Sequence, residues 1–265
     1  MTLFSSESGI LDLEPVGLST LSRNTMRFSP SIIESIDSRV DVPIEKDEKV
    51  ESAVALYAGS YDGALTHKGM MFFDSDSNFE KYRVPERMTL TPSQIDLVLQ
   101  HLLKGPHMNT CDLSIYASLL IQRSYDAGYN GFVLHTQDVP LDCLGGWLKG
   151  SEEKKVSMII YGDTGYFTGH HSRWCSVRHE GNAQHYYFED AKHDEISISG
   201  MITAYPLTGA EDITLRTTNK RTFDHIKNEM YTFMNSVNRH ILLLNASGKT
   251  LEECDDSMPK NKWWS

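Results

Sequence analysis

The sequence predicts an α+β fold in which helices come first and a mostly antiparallel sheet follows. Two observations support this class. Apolar residues at helical spacing are concentrated between residues 91 and 128, and short apolar runs of strand length dominate the chain after them. Glycine and proline separate these segments where turns are expected. Helices followed by a run of strands are typical of α+β proteins.

Composition indicates a folded chain with an extension at its N-terminus. The chain has 265 residues, of which 40% are hydrophobic and 23% are charged, as in ordinary globular proteins. In residues 1–50, serine and threonine are frequent and apolar periodicity is broken. We expect residues 1–50 to form a flexible Ser/Thr-rich leader and charged linker, and residues 51–265 to form a single α+β catalytic domain.

Two helices are expected ahead of the main sheet. The first begins after Thr91, which is placed to cap it, has Pro92 in its first turn and ends at Gly105. The second begins near Asn109 and ends before Gly128, and its apolar residues recur at nearly helical spacing.

The remaining elements are predicted from short apolar runs. The expected strands cover residues 54–58, 70–73, 132–134, 156–161, 170–178, 185–189 and 195–203. A long helix is expected over residues 223–244, and no internal repeat is evident.

Charge and cysteine content argue against several functional classes. The chain has 25 basic and 36 acidic residues, a net charge of −11, so we expect no binding of nucleic acid by phosphate neutralisation. Its 4 cysteines are too few and too irregularly spaced for a disulfide scaffold, so reduced thiols are expected. No apolar run is long enough to span a membrane, and no Sec-type signal peptide is evident.

The stretch 169–192 is the most informative for function. It predicts a hairpin whose first strand begins at His170 and His171 and whose second strand ends at Asp190. Such a hairpin places an imidazole beside a carboxylate, which is how a general base is held in orientation. Because adjacent strand residues face opposite sides, only one histidine is expected to be the base. The apolar face that includes Cys175 favours His171, and the alternative is left open.

Cys111 is the candidate nucleophile. It is expected at the start of the second helix, where unpaired backbone N–H groups and the helix dipole favour a thiolate. The same N–H groups can stabilise a tetrahedral oxyanion. Cys143, in a glycine-rich loop, is the weaker candidate for the nucleophile. The alternative for Cys111 itself is a structural role, as a small apolar residue at the start of a helix.

In chain order, Cys111, the histidines His170 and His171 and then Asp190 resemble the papain-like cysteine protease group. Residues 169–178, with the aromatic run that ends at Asp190, are similar to the histidine box of ubiquitin-specific proteases and to bacterial secreted-effector cysteine proteases and deamidases. The resemblance implies a papain-like fold, in which a helix carrying the nucleophile packs on a mostly antiparallel sheet. The second histidine departs from that box, and no cysteine box of the ubiquitin-specific type surrounds Cys111.

The functional prediction is a thiol-dependent hydrolase, of protease or glutamine deamidase type, that uses Cys111, His171 or His170, and Asp190 on a protein substrate. The Ser/Thr-rich N-terminus resembles the export signals of bacterial type III secreted effectors. That implies a virulence protein secreted into a host cell, where it acts on a host or ubiquitin-like protein; a cytoplasmic protein is the alternative. No cofactor and no metal ligands are assigned. The other open hypotheses are a noncatalytic protein-interaction effector and a His/Cys metal-binding protein.

Overall fold

The computed structural model describes residues 47–60, 88–105, 109–230 and 237–255. The helices are α1 (Glu48–Ser60), α2 (Pro92–Leu102), α3 (Thr110–Asp126) and α4 (Lys220–Met230). The strands are β1 (Gly131–Leu141), β2 (Val156–Thr164), β3 (Cys175–Glu180), β4 (Glu195–Ile198), β5 (Glu211–Thr217), β6 (Val237–Leu244) and β7 (Thr250–Asp255). The predicted α+β class is confirmed. Residues 1–46 of the predicted leader and the strand predicted over 70–73 lie outside the described residues.

The sheet is built in chain order and is mostly parallel, so the prediction of a mostly antiparallel sheet is wrong. Its strand order is β1 to β7, each neighbouring pair from β1 to β6 is parallel, and β6 and β7 are antiparallel. Parallel neighbours require the chain to return to the same end of the sheet. The return paths are themselves paired, through parallel bridges from Arg173 to Lys192 and from Lys192 to Glu211. The chain is therefore wound as a parallel β-solenoid.

From β2 to β5, successive coils of the solenoid repeat every 19 residues, so the expectation of no internal repeat is wrong. Val156 pairs with Cys175, Glu195 pairs with Thr214, and the backbone N–H of Cys175 donates to Asp194 across a separation of 19 residues. What repeats is burial and backbone geometry more than residue identity. The strand predicted over 185–189 is a corner of one coil.

Glycine and aromatic residues recur with the coils. The backbones of Gly162, Gly181 and Gly200 lie so close that a Cβ on Gly181 would be 2.1 Å from the carbonyl oxygen of Gly162. A Cβ on Gly200 would be 2.0 Å from the carbonyl oxygen of Gly181. Only glycine fits such an approach, so this series marks the repeat in the sequence.

An aromatic ladder of Phe167, Tyr186 and Tyr205 follows one corner. The ring centroids of Phe167 and Tyr186 are 4.8 Å apart with 5° between the planes, and those of Tyr186 and Tyr205 are 5.3 Å apart with 19°. Their φ angles of 59°, 58° and 52° place equivalent side chains in the same direction. Because the ring faces cover one another, the ladder stabilises the stacking of coils.

Two apolar runs differ in secondary structure from the prediction. The helix predicted over 223–244 is confirmed for residues 223–230, which belong to α4, whereas residues 237–244 form β6, in which Ile241 and Leu243 alternate toward the core. The predicted strand over 54–58 is part of α1, which buries Ala53 and Tyr57, four residues apart. Short apolar runs suit a buried strand and a buried helix equally, which explains both errors.

Helix α3 packs against the first coil, and its predicted bounds are confirmed. The Thr110 hydroxyl donates to Asp142 Oδ2 over 2.8 Å, and the Tyr125 hydroxyl donates to the carbonyl oxygen of Lys154 over 2.5 Å. On its other side, the Tyr116 hydroxyl donates to the carbonyl oxygen of Ala53 in α1 over 2.8 Å. The helix therefore connects the N-terminal helices to the solenoid. No helix among the described residues is long and apolar enough to cross a bilayer.

Asp194 is buried between two coils. Its Oδ1 accepts the Cys175 N–H over 2.7 Å, and its Oδ2 lies 2.5 Å from Ser172 Oγ. Burial raises the pKa of Asp194 to about 7, against the opposing effect of these hydrogen bonds. In the protonated form, the carboxyl donates to Ser172 Oγ, whose own proton goes to the carbonyl oxygen of Gly169, 2.6 Å away.

We expect Asp194→Asn to remove part of the pH dependence of folding. The folded state retains a proton on Asp194 up to about pH 7, whereas the ordinary pKa is 3.8. The stability contributed by this proton is therefore full below the ordinary pKa and is lost as the pH rises to about 7, by about 1.4 kcal/mol per pH unit. Urea unfolding of both proteins between pH 4.5 and 7.5 measures the difference. Identical pH dependence in the two proteins would contradict this assignment.

Candidate functional site

Four polar side chains from two consecutive coils converge at one corner of the solenoid. His170 Nδ1 lies 3.3 Å from Glu189 Oε2, and His171 Nε2 lies 4.0 Å from Asp190 Oδ2. The two imidazole centroids are 3.9 Å apart. We refer to these four residues as the His–carboxylate cluster. The predicted proximity of the histidines to Asp190 is present, through the stacking of coils instead of a hairpin.

The corner conformation explains why both histidines reach the cluster. His171 and Asp190 have φ angles of 55° and 52°, and His171 lies in a turn before β3 begins. Strand alternation therefore does not apply, and the expectation that the two histidines face opposite sides is wrong. In the next coil the equivalent residue is Gly209, where a Cβ would lie 2.0 Å from Asp190 Oδ1. The absence of a side chain there leaves space for the carboxylate.

Aromatic rings from two coils surround His170. Trp147 meets its ring edge to face at a centroid distance of 5.4 Å, and Phe167 does so at 5.5 Å. Burial, followed by the neighbouring His171, lowers the pKa of His170 to about 4. Burial also lowers the pKa of His171. Both imidazoles are therefore neutral at pH 7, with a ring-nitrogen lone pair each.

The two carboxyl groups of the cluster lie in different surroundings. Burial, followed by the charge of Asp190, raises the pKa of Glu189 to about 7. The side chains of His171 and Asp190 are 43% and 47% exposed, so the outer half of the cluster is open to water. Trp147, which comes from the preceding coil, was not predicted from the sequence as part of this site.

Cys111 is positioned by a different set of contacts. It is 6% exposed, and its Sγ lies 3.5 Å from Cys143 Sγ. The N–H groups of Cys111 and Asp112 both donate to Asn109 Oδ1, which caps α3. Among the described contacts, Cys111 has no hydrogen bond to either histidine of the cluster. The structure thus brings together His170, His171 and Asp190, and the role of Cys111 as nucleophile stays a prediction.

Other residues of the histidine-rich stretch 170–193 serve the solenoid itself. His179 is buried, with Nε2 2.9 Å from the carbonyl oxygen of Gly162. His193 stacks on Trp174 at 4.3 Å and lies 3.1 Å from Asp212 in the following coil. His193 and Asp212 therefore form a second histidine–carboxylate contact between successive coils, at a different position along the coil from the His–carboxylate cluster.

His170, His171 and Asp190 have the arrangement of metal ligands. Each offers one ligand atom, and these atoms all lie within 4.8 Å of one another. Within the described ranges, this is the one group of three or more histidine, cysteine, aspartate or glutamate residues with that property. From the sequence, no metal ligands were assigned here, and a His/Cys metal-binding protein was left as an open hypothesis.

Comparison with protein-family models, curated proteins and solved structures finds no match to this chain. Its function is therefore inferred from the chemistry of the His–carboxylate cluster.

Proposed function

We propose that this chain binds a divalent transition-metal ion through His170, His171 and Asp190. The observation that carries the proposal is the convergence of two imidazoles and a carboxylate whose ligand atoms lie within 4.8 Å. Zinc–nitrogen and zinc–oxygen bonds of about 2.0–2.2 Å require ligand atoms about 3–3.5 Å apart. Rotation of the half-exposed His171 and Asp190 side chains, with a displacement of their ligand atoms by about 1 Å, provides this spacing.

Glu189 is suited to orient the His170 ring from its Nδ1 side. Metal-binding histidines usually direct their second ring nitrogen to a carboxylate or a carbonyl oxygen. Glu189 Oε2 lies 3.3 Å from His170 Nδ1, although the two atoms are not aligned for a hydrogen bond and Nδ1 is buried without one. This placement reserves Nε2 of His170 for the metal, and the Trp147 and Phe167 rings hold the imidazole in place.

An ion at this cluster has open coordination positions. Structural zinc sites use four protein ligands, whereas catalytic sites use three and bind water at the remaining position. The exposed His171 and Asp190 side chains leave that position accessible to solvent. An ion held in this way lowers the pKa of its bound water and generates a hydroxide nucleophile. Such a hydroxide favours metal-dependent hydrolysis as the class of reaction. Two histidines and one carboxylate also suit ferrous iron.

Calorimetric titration of reduced, metal-free protein with Zn²⁺, Co²⁺ and Fe²⁺ tests the proposal. We expect one saturable site per chain for at least one of these ions. The absorption spectrum of the Co²⁺ form distinguishes nitrogen and oxygen ligands from thiolates, so it separates this cluster from the Cys111–Cys143 pair. Failure of all three ions to bind, or a thiolate spectrum, would contradict the proposal.

A thiol-dependent hydrolase that acts on a protein substrate is the second candidate. It is favoured by the 4.0 Å distance from Asp190 Oδ2 to His171 Nε2, which suits a carboxylate that orients an imidazole. It retains from the papain-like expectation a helix, α3, that carries Cys111 and packs beside the sheet. Export as a bacterial effector depends on residues 1–50, of which 47–50 alone are described.

Iodoacetamide labelling of the reduced protein at neutral pH tests the second candidate. A reactive thiolate at Cys111 should be alkylated much faster than Cys175 and Cys254. Equal, slow labelling of all the cysteines would exclude a thiolate nucleophile.

A further inference from the structure

Two thiols meet where α3 packs on the first coil of the solenoid. Cys111 Sγ and Cys143 Sγ are 3.5 Å apart, and these residues are 6% and 1% exposed. Cys111 lies in the first turn of α3, and Cys143 lies at a corner after β1 with a φ of 63°. Their separation of 32 residues means that the contact closes a long loop.

The two backbones are already held together next to the thiols. The hydroxyl of Thr110, which precedes Cys111, donates to Asp142, which precedes Cys143, over 2.8 Å. About two turns further along α3, Ser118 Oγ accepts the backbone N–H of Gly145 over 3.0 Å. The sulfur atoms therefore face each other across a fixed helix–coil contact.

The other cysteines have no such partner. Cys175 Sγ lies 3.7 Å from the carbonyl oxygen of Arg173, and Cys254 Sγ lies 4.0 Å from the sulfur of Met230. All the cysteines of the chain are described and free, so Cys111 and Cys143 are the one thiol pair in contact.

We propose that Cys111 and Cys143 are a redox modification site, which forms a reversible disulfide that fastens α3 to the solenoid. The sulfur–sulfur bond length is about 2.05 Å, so the two atoms need to approach by about 1.5 Å. Rotation of the Cys111 side chain supplies most of this movement while the flanking hydrogen bonds hold the backbones. The bond leaves the His–carboxylate cluster untouched, so this inference does not depend on metal binding.

A peroxide is the oxidant that this buried site can admit, because it is small. One thiol loses its proton, and its thiolate attacks a peroxide oxygen. The O–O bond breaks to give a sulfenic acid and a hydroxide, which takes up the released proton as water. The second thiol then displaces the sulfenic hydroxyl as water and forms the S–S bond. In total, two thiols and one hydrogen peroxide give one disulfide and two waters. A hydrogen bond that the Cys143 thiol donates to Cys111, together with burial, raises the pKa of Cys143, so Cys111 is the thiol expected to react first.

Peptide mapping by mass spectrometry tests the inference on the full chain. Reduced protein is treated with hydrogen peroxide, denatured and alkylated without reduction. We expect the mass before alkylation to fall by about 2 Da, a cross-link between the Cys111 and Cys143 peptides, and alkylation of Cys175 and Cys254. Dithiothreitol should restore alkylation at all four sites. Sulfinic acid at Cys111 without a cross-link, or a cross-link to another cysteine, would overturn the inference.

Variants and melting temperature complete the test. Cys254→Ser should retain the cross-link, whereas Cys143→Ser should form sulfenic acid at Cys111 and no intramolecular bond. Because the bond closes a long loop, we expect the melting temperature of oxidised wild-type protein to rise on the order of 5 °C. An unchanged or lower melting temperature in cross-linked protein would contradict the fastening role, even if Cys143→Ser does not fold.

Discussion

Gly181→Ala is expected to destabilise the protein by about 3 kcal/mol or more, which is a large part of the total stability of an ordinary domain. The added Cβ would lie 2.1 Å from the carbonyl oxygen and 2.5 Å from the carbonyl carbon of Gly162. Both atoms belong to the backbone, so no side-chain rotation relieves the overlap. The two coils would have to separate, and the pairing of β2 with β3 would weaken.

Gly59→Ala is the matched control for this prediction. Gly59 lies in α1, and a Cβ there would have no atom within 4 Å. Alanine is the better helix former, so we expect Gly59→Ala to be neutral or stabilising by up to about 1 kcal/mol. Urea unfolding measures both variants. Equal stability of Gly181→Ala and the wild type would contradict the stacked arrangement of coils.

His171→Asn and Asp190→Asn are expected to weaken Zn²⁺ binding more than about 100-fold. Each substitution removes one ligand of a three-ligand site. Loss of a residue that only orients a ligand already lowers metal affinity about 10–100-fold, so loss of a ligand itself should lower it more. Both positions have positive φ, which asparagine tolerates, so the corner is kept. Glu189→Gln retains the shape of the side chain that faces His170, and we expect it to weaken binding about 10–100-fold.

His193→Ala is the control for the metal-site variants. His193 lies 3.1 Å from Asp212, so the variant removes a histidine–carboxylate contact between coils that lies outside the proposed site. Its Zn²⁺ affinity should equal that of the wild type in the same calorimetric titration. Equal affinity for the wild type and His171→Asn, or a loss in His193→Ala as large as in His171→Asn, would show that the cluster is not the site.

Helices α2 and α3 were predictable because their signals are local. Thr91 and Gln94 form a capping box, in which the Gln94 N–H donates to Thr91 Oγ1 over 3.3 Å, and Pro92 occupies the first turn. Asn109 caps α3 by a simpler contact, in which its Oδ1 accepts the N–H groups of Cys111 and Asp112. These contacts join residues three or fewer apart, so they leave a direct trace in the sequence.

The parallel sheet was not predicted because the direction of pairing depends on distant residues. Alternating burial in β3 suits a parallel and an antiparallel strand equally. The deciding information is the spacing of equivalent positions, which the glycines 162, 181 and 200 and the aromatic residues 167, 186 and 205 carry. Because equivalent positions elsewhere hold different residue types, the repeat is weak as a pattern of identities.

The candidate site was predicted in part, and for a different reason from the one observed. A hairpin and a solenoid coil both bring residues 170 and 171 beside residues 189 and 190, so the proximity did not depend on the topology. The contribution of Trp147 requires the preceding coil, and the Cys111–Cys143 contact requires the packing of α3 on that coil. Neither relation is local in sequence.

The most direct test of the metal site is anomalous diffraction at the zinc edge from crystals of the reduced protein grown with Zn²⁺. We expect an anomalous peak at about 2.0–2.2 Å from one nitrogen each of His170 and His171 and from a carboxylate oxygen of Asp190, with water completing the coordination. No peak at this corner at saturating Zn²⁺, or a single peak between Cys111 and Cys143, would contradict the proposed site.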